Sequence, residues 1–236
     1  MTPTIAAIIP AHEEAMTIGR TVRAVRNVRG VSQVIVVDDG SKDDTALHAE
    51  EAGAKVVRMM FNSGKGAALE AGAKRVANVD IVLLLDGDLG DTASQATRLL
   101  APLLAGEADM SIAAFPKPTG KAGFGLVKGI ARYGIAHLGG EFEATAPLSG
   151  QRALTRACLA TVRPFAAGYG VEVGLTIRAL RAGFRLVEVE TTMAHDATGR
   201  DVAGFIHRGR QFFHVSGALL KLAFEPARQK KTGDEL

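Results

Sequence analysis

The sequence predicts an α/β fold with a mostly parallel, Rossmann-like central sheet and helices on both faces. Three observations carry that expectation. Through residue 90, short apolar runs alternate with helix-length segments, in the order β-α-β-α-β-α-β, and such alternation builds parallel sheets through crossover helices. The fourth run, Ile81-Val-Leu-Leu-Leu85, is almost purely apolar, as a strand covered on both faces must be. Proline, aspartate, glycine or asparagine follows each run, and these residues punctuate strands.

Thr4–Ile9 reads as the first strand, too short for a helix and stopped by Pro10. Residues 15–28 carry Met16, Ile18, Val22 and Val25 at helical spacing. Ser32–Val37 is the second strand, closed by Asp38-Asp39-Gly40-Ser41. The helix after it starts at Asp43 or Asp44, either a good N-cap, and ends near Gly53. Lys55–Met59 is the third strand. Beyond the turn Asn62-Ser-Gly-Lys-Gly66, an alanine-rich helix runs to about Ala77.

The second half is less regular. A strand over Ala108–Ala114 leads into a loop rich in proline, glycine and lysine; residues 115–125 are expected to form a mobile lid on the acceptor side. Helices are predicted over 126–138 and 171–182, and a strand with alternating apolar residues over Arg185–Thr191. A terminal helix covers 202–224, broken or bent near Gly209 or Gly217. Residues 226–236 are polar and expected to be disordered. No repeat and no separating linker is visible, so residues 1–225 are expected to form one domain, with a nucleotide-binding half (1–90) and a sugar and acceptor half (91–225).

Composition narrows the classes. The chain has 236 residues, 47% hydrophobic and 22% charged, enough to bury a sizeable core without disulfides. Its net charge of +3 is too mild to argue for nucleic acid as a partner. The single cysteine, Cys158, forms no internal disulfide and fits a reducing cytoplasm; its neighbours read as a helix interior, so a buried structural thiol is expected. No run approaches the roughly 20 apolar residues of a membrane span. A cytoplasmic location is expected.

In an open parallel sheet, ligands bind beyond the carboxyl ends of the strands. Strand one delivers Pro10-Ala11-His12-Glu13-Glu14, strand two Asp38-Asp39-Gly40-Ser41, the turn after strand three Gly64-Lys65-Gly66, and strand four Asp86-Gly87-Asp88. Two aspartates flanking one glycine at a strand exit can turn toward one ligand, and Mg2+ or Mn2+ shares its oxygen ligands between carboxylates and substrate phosphates. Taken alone, the triplet also suits a surface turn; three neighbouring loops of the same character favour the ligand. Lys65 is not a P-loop lysine, because no Ser or Thr follows it, and no G-x-G-x-x-G follows strand one. It is either a lysine beside a nucleotide or a solvated lysine at a helix start.

The succession Ile8-Ile-Pro-Ala-His-Glu-Glu14, Val36-Val-Asp-Asp-Gly-Ser41, Asn62-Ser-Gly-Lys-Gly66 and Leu85-Asp-Gly-Asp88 resembles the family 2 type glycosyltransferases of the GT-A fold. That resemblance implies a nucleotide-sugar donor, with a UDP-sugar favoured, and a Mg2+ or Mn2+ cofactor. It places Pro10, Ala11, Glu13, Asp39, Ser41, Lys65, Gly66, Asp86 and Gly87 at the nucleotide, and Asp86 and Asp88 at the metal. Further along, Pro147-Leu-Ser-Gly150, Pro164-Phe-Ala-Ala-Gly-Tyr-Gly-Val-Glu-Val-Gly174 and Met193-Ala-His195 are similar to the glucosyl-3-phosphoglycerate synthases, which are retaining enzymes. By that likeness Leu148, Ser149, Gly150 and Glu172 face the donor sugar, His195 is a further metal ligand, and the acceptor is a small phosphorylated acid such as 3-phosphoglycerate. Asp86, Asp88, Glu172 and Lys65 are then the catalytic set, with Glu172 either binding the sugar or, in an inverting reaction, serving as the base.

Two positions depart from the pattern. Leu126 stands where an arginine is expected to grip the acceptor phosphate, and Ala197 where an asparagine is expected. Lys121, Lys128 or Arg132 remain to receive a phosphate as point charges or on another geometry. An alternative acceptor is a polyprenyl phosphate, with residues 207–224 resting on a membrane surface; the same helix could serve a homodimer interface or the core. A nucleotidyltransferase and a non-catalytic nucleotide-sugar-binding protein are the rival functions.

Overall fold

The structure is a computed structural model, and it describes residues 3–115, 125–166, 170–194 and 215–231. Its strands are β1 (Ile5–Ala11), β2 (Val31–Asp38), β3 (Lys55–Arg58), β4 (Ile81–Leu84), β5 (Met110–Ala114), β6 (Arg152–Thr155) and β7 (Leu186–Glu190). They form one sheet in the order β3-β2-β1-β4-β6-β5-β7. All neighbours pair parallel except β6, which runs antiparallel to both β4 and β5.

The helices are α1 (Ile18–Arg26), α2 (Thr45–Glu51), α3 (Lys65–Ala73), α4 (Ala96–Leu104), α5 (Gly125–Gly139), α6 (Arg156–Val162) and α7 (Val171–Arg181). An eighth, α8, covers residues 215–224, and a 3-10 turn spans Gly90–Gln95. On one face of the sheet Ile18, Val22 and Val25 of α1 and Leu99, Leu100 and Leu103 of α4 join a single core cluster. On the other face Leu69 of α3, Leu159 of α6 and Leu175 of α7 do the same. A third cluster packs α5 and α8 against the back of α7 through Ile135, Val215, Leu222 and Ile177. Each large aliphatic side chain so buried contributes about 1.5–3 kcal/mol, so helix periodicity and sheet burial enforce one another.

The first half follows the expected order, with two corrections of detail. Strand one does not stop at Pro10 but continues to Ala11. Ile8 turns its carbonyl to β4, accepting from Leu85 N–H, so by alternation Pro10 also faces that side, where the ladder has already ended at Ile8↔Leu84. The missing N–H therefore costs no bond. Met16 precedes α1 and is 90% exposed. The helix after β2 begins beside Asp44 as expected, and Asp43 Oδ1 accepts from Thr45 N–H at 3.1 Å.

In the second half, α4 and β6 are elements that the sequence reading does not predict. Cys158 lies buried in α6 as expected, and burial pushes its thiol well above the ordinary range. Gly217 does not break α8, which runs through it; Gly209 and the first part of the expected terminal helix lie outside the described residues, as does most of the 115–125 loop. Residues 226–231, expected to be disordered, are held to the body: Lys231 N–H donates to Thr161 Oγ1 (2.9 Å), and Lys230 sits 4.5 Å from the centre of the Phe184 ring. Among the described residues no helix is long and apolar enough to cross a membrane.

Glu225 anchors this segment, pairing with Arg178 (2.8 Å) and Arg228 (2.6 Å). Burial alone would raise its carboxyl, but the two guanidiniums hold it below its ordinary 4.5. Glu70, 2.7 Å from Arg163, is lowered in the same way. A lowered carboxyl stabilises the fold above its unfolded pKa, and that stability is lost as pH falls through the folded value. Thermal midpoints measured from pH 7 to pH 3 should stay flat down to about 4.5 and then fall, and Glu225→Gln should remove part of the acid-side slope.

Candidate active site

The parallel strands β1, β2 and β4 deliver their carboxyl ends to one edge, and the antiparallel β6 begins at that same edge. Pairing runs from Ile81↔Thr155 to Leu84↔Arg152; the same register carried two residues further sets Gly150 opposite Asp86. This places the Leu148–Gly150 segment of the second half beside the aspartates of the first.

A connected polar chain results. Asp86 Oδ1 lies 2.7 Å from Lys65 Nζ, and Asp86 Oδ2 accepts from Gln151 Nε2 at 2.6 Å. Lys65 Nζ is also 3.0 Å from Glu172 Oε1, and Ser149 Oγ donates to Gln151 Oε1 at 3.3 Å. Burial alone would lower the Lys65 ammonium, but the charges of Asp86 and Glu172 outweigh it and hold the group above its usual range. Glu172 is buried in the first turn of α7, where the helix N-terminus favours an anion. One cation thus ties two carboxylates that are distant in sequence.

Glycines make this approach feasible. Gly64 takes φ +88° just before α3, a conformation that favours glycine. A Cβ on Gly66 would lie 2.0 Å from the Ala166 carbonyl oxygen, so only glycine lets α3 start beneath that segment.

The remaining loops are stitched to one another. Asp39 accepts from the N–H groups of Ser63 and Gly64, both at 2.7 Å, fixing the turn that presents Lys65. Glu13, at φ +57°, donates its N–H to Ser41 Oγ (2.9 Å), and Glu14 N–H reaches Thr45 Oγ1 (2.8 Å). Pro10 and Ala11 close β1 beside them, and a Cβ on Gly87 would lie 3.2 Å from that of Ala11. Glu14 adds a third carboxyl to the aspartate pair. Burial raises it first; the charges of Asp88 and Asp86 add to that, against a hydrogen bond from Thr17.

Among the described residues no set of three His, Cys, Asp or Glu side chains forms a closed metal site. A hard cation that shares substrate phosphates needs only one or two protein carboxylates, a number that Asp86 and Asp88 at the exit of β4 can supply. His195 lies outside the described residues. The chain leading to it is tied to the turn after Asp88, since Ala194 N–H donates to Thr92 Oγ1 at 3.2 Å.

Of the acceptor candidates, Lys128 is half-buried on α5 and Lys121 lies outside the described residues. Arg132 is committed to backbone, its Nε donating to the Ala144 carbonyl at 2.9 Å. Glu188 accepts from the N–H groups of Thr145 and Ala146, both at 2.8 Å, so the segment leading to Leu148 is clamped from two sides. Leu148 is half-buried in the third core cluster, and Ser149 is buried.

Gln151, Arg152 and Thr21 support the site without belonging to any motif read from the sequence. A polar Gln-Arg pair opening an apolar Ala-Leu stretch was the available signal for the first two; Thr21 carried none. Thr21, fully buried on α1, donates to the Gly87 carbonyl (2.8 Å) and accepts from Gly90 N–H (2.9 Å), so one hydroxyl braces the turn that carries both aspartates. Thr21→Val should leave two buried backbone groups unpaired, lowering stability by about 1–3 kcal/mol in urea unfolding, whereas Thr21→Ser should retain most of it.

Residues 6–141 match the family model for Glycosyl transferase family 2. The chain belongs to that family. Among curated relatives, a glucosyl-3-phosphoglycerate synthase of Mycolicibacterium paratuberculosis is 36% identical over 196 residues, covering 74% of this chain and 59% of the relative. Glycosyltransferase AglJ of Haloferax volcanii is 32% identical over 205 residues, 84% of this chain and 65% of its own length. The chain therefore spans about three fifths of these relatives. Among solved structures, glucosyl-3-phosphoglycerate synthase from Mycobacterium tuberculosis in complex with Mn2+, UDP and glucosyl-3-phosphoglycerate superposes with a TM-score of 0.79 at 31% identity, covering 95% of this chain and 81% of that one. The same enzyme with Mn2+, UDP-glucose and phosphoglyceric acid gives 0.77 at 31% identity, with the same coverage. The sheet and helices described above are thus those of the GT-A fold.

Proposed function

We propose that the chain is a glycosyltransferase that uses Mg2+ or Mn2+ to move glucose from UDP-glucose to a small phosphorylated acid such as 3-phosphoglycerate, with retention at the anomeric carbon. The observation that carries this is the Lys65 bridge between Asp86 and Glu172, which brings the nucleotide half and the sugar half within one ammonium of each other. Relatives captured with UDP-glucose and phosphoglyceric acid supply the substrate classes.

In this reading Pro10, Ala11, Glu13, Asp39 and Ser41 surround the nucleoside, while Gly66, Gly87 and Lys65 face the diphosphate. Asp86, Asp88 and His195 hold the metal ion, which when bound withdraws charge from the departing diphosphate. Lys65 supplies a second, fixed positive charge there, and such preorganised charge is the largest source of rate in group transfers of this kind. Leu148, Ser149, Gly150 and Glu172 orient the sugar. Glu172 already shares Lys65, which suits it to receive sugar hydroxyls rather than to remove a proton. The acceptor hydroxyl then attacks from the leaving-group side: its oxygen bonds to the anomeric carbon, the bond to the diphosphate breaks, and the hydroxyl proton passes to the departing diphosphate oxygen. Lys128 is the described cation nearest in role to the absent arginine.

Incubation with UDP-glucose, Mn2+ and 3-phosphoglycerate should release UDP only when all three are present, and proton NMR should show an α-linked product. UDP release that ignores the acid, or a β-linked product, would overturn the reading. A lipid-phosphate acceptor at a membrane surface is favoured by one observation, the exposed stripe of Leu220, Lys221 and Phe224 on α8. Failure to co-sediment with anionic vesicles at low salt would exclude it.

A further inference from the structure

We propose that Arg152 is a positioning residue that holds the two sugar-facing elements, the Leu148–Gly150 segment and the first turn of α7, in fixed relation. The proposal rests on the reading of Glu172 and Leu148–Gly150 as donor-sugar contacts.

Arg152 opens β6 between Leu84 and Ile112, and this long side chain has no solvent exposure. A position that only filled this volume would be apolar, because a charge buried away from water is costly unless something compensates it. Here none of the hydrogen bonds described for the guanidinium goes to a carboxylate. Nε donates to the Ser149 carbonyl at 3.0 Å and Nη1 to Thr176 Oγ1 at 2.9 Å, with Met110 Sδ at 3.6 Å from Nη1. Nη2 has no partner among the described residues. Thr176 in turn donates to the Glu172 carbonyl at 3.0 Å. One rigid fork thus links the backbone of Ser149 to the turn of α7 that carries Glu172.

Burial pulls the guanidinium down to about 10, opposed by the charges of Glu172 and Glu188, so it stays cationic at neutral pH. Both carboxylates are committed elsewhere, Glu172 to Lys65 and Glu188 to the N–H groups of Thr145 and Ala146. Arg152 therefore lies behind the sugar side of the site, bonded to its framework, while its charge compensates the two acids. Lysine could supply the charge but not two bonds in fixed directions.

The sugar side and the nucleotide side can be read separately by titrating UDP and UDP-glucose, each with Mn2+, into wild type, Arg152→Lys, Arg152→Met, Thr176→Val and Glu172→Ala. The Arg152 and Thr176 variants should leave UDP affinity within about twofold and shift the ratio of the two dissociation constants about tenfold against UDP-glucose. Thr176→Val carries the test if an Arg152 variant fails to fold. An equal loss for both ligands would show a merely structural residue and overturn the proposal. So would an unchanged ratio in these variants when Glu172→Ala does shift it, which leaves the site reading intact. An unchanged ratio in Glu172→Ala removes the sugar-side reading and the proposal with it.

Discussion

Replacing Lys65 by methionine is expected to lower kcat/KM for UDP-glucose by about a hundredfold or more, the usual cost of removing one preorganised charge at a departing anion. The ammonium lies 2.7 Å from Asp86 and 3.0 Å from Glu172. Its loss removes a positive charge and leaves two facing acids to repel each other. Lys65→Arg should recover little, because a planar fork cannot occupy the place of a compact ammonium. Steady-state kinetics with a parallel melting curve check this; a Lys65→Met variant with near wild-type kcat/KM would remove Lys65 from the reaction.

Gly150→Ala should produce a smaller kinetic defect by a different route, and the two effects should not add. The new methyl would meet Lys65 Nζ at 2.4 Å and the Asp86 oxygens at 3.0 and 3.1 Å. These are the ends of flexible side chains, so the fold yields cheaply and the stability cost should stay within about 1 kcal/mol, or about 2–4 °C for a chain of this size. The displaced groups are those that face the donor, so kcat/KM should fall about tenfold or more. A double variant with Lys65→Met should be little worse than Lys65→Met alone, because residues in contact couple. Full additivity would show that Gly150 acts elsewhere.

The first-half fold was legible because each buried strand there is an apolar run ended by a proline or aspartate turn, so strand exits and ligand-facing residues are marked by the same letters. Pro10 misled by one turn of the ladder, since its effect depends on which neighbour its nitrogen faces, and that is set by where β4 stops pairing. Met16 fitted the helical spacing of Ile18 and Val22 but falls before the first turn, in a loop whose direction is set by Thr45 and Asp43. The strand β6 was illegible for a stronger reason. Its four residues Arg-Ala-Leu-Thr have neither alternation nor length, and they become a central strand only by antiparallel pairing with β4 and β5 across distances in sequence that no local pattern encodes. Gln151 and Arg152 were missed with it. Gly150 was placed at the sugar by family likeness, and its opposition to Asp86 emerged only from the register.

The most direct test of the central claim, that Asp86 and Asp88 build a metal-dependent nucleotide-sugar site, is a thermal-shift comparison of wild type and Asp88→Ala. Each would be measured with UDP-glucose, UDP-N-acetylglucosamine and GDP-mannose in Mn2+ or in EDTA. At a donor concentration of about 100 Kd, binding should stabilise the wild type by about 2.7 kcal/mol, a rise of about 5–10 °C. That rise should appear with UDP-glucose and Mn2+, vanish in EDTA, and be absent from Asp88→Ala. An equal rise in EDTA, or an undiminished one in Asp88→Ala, would contradict it.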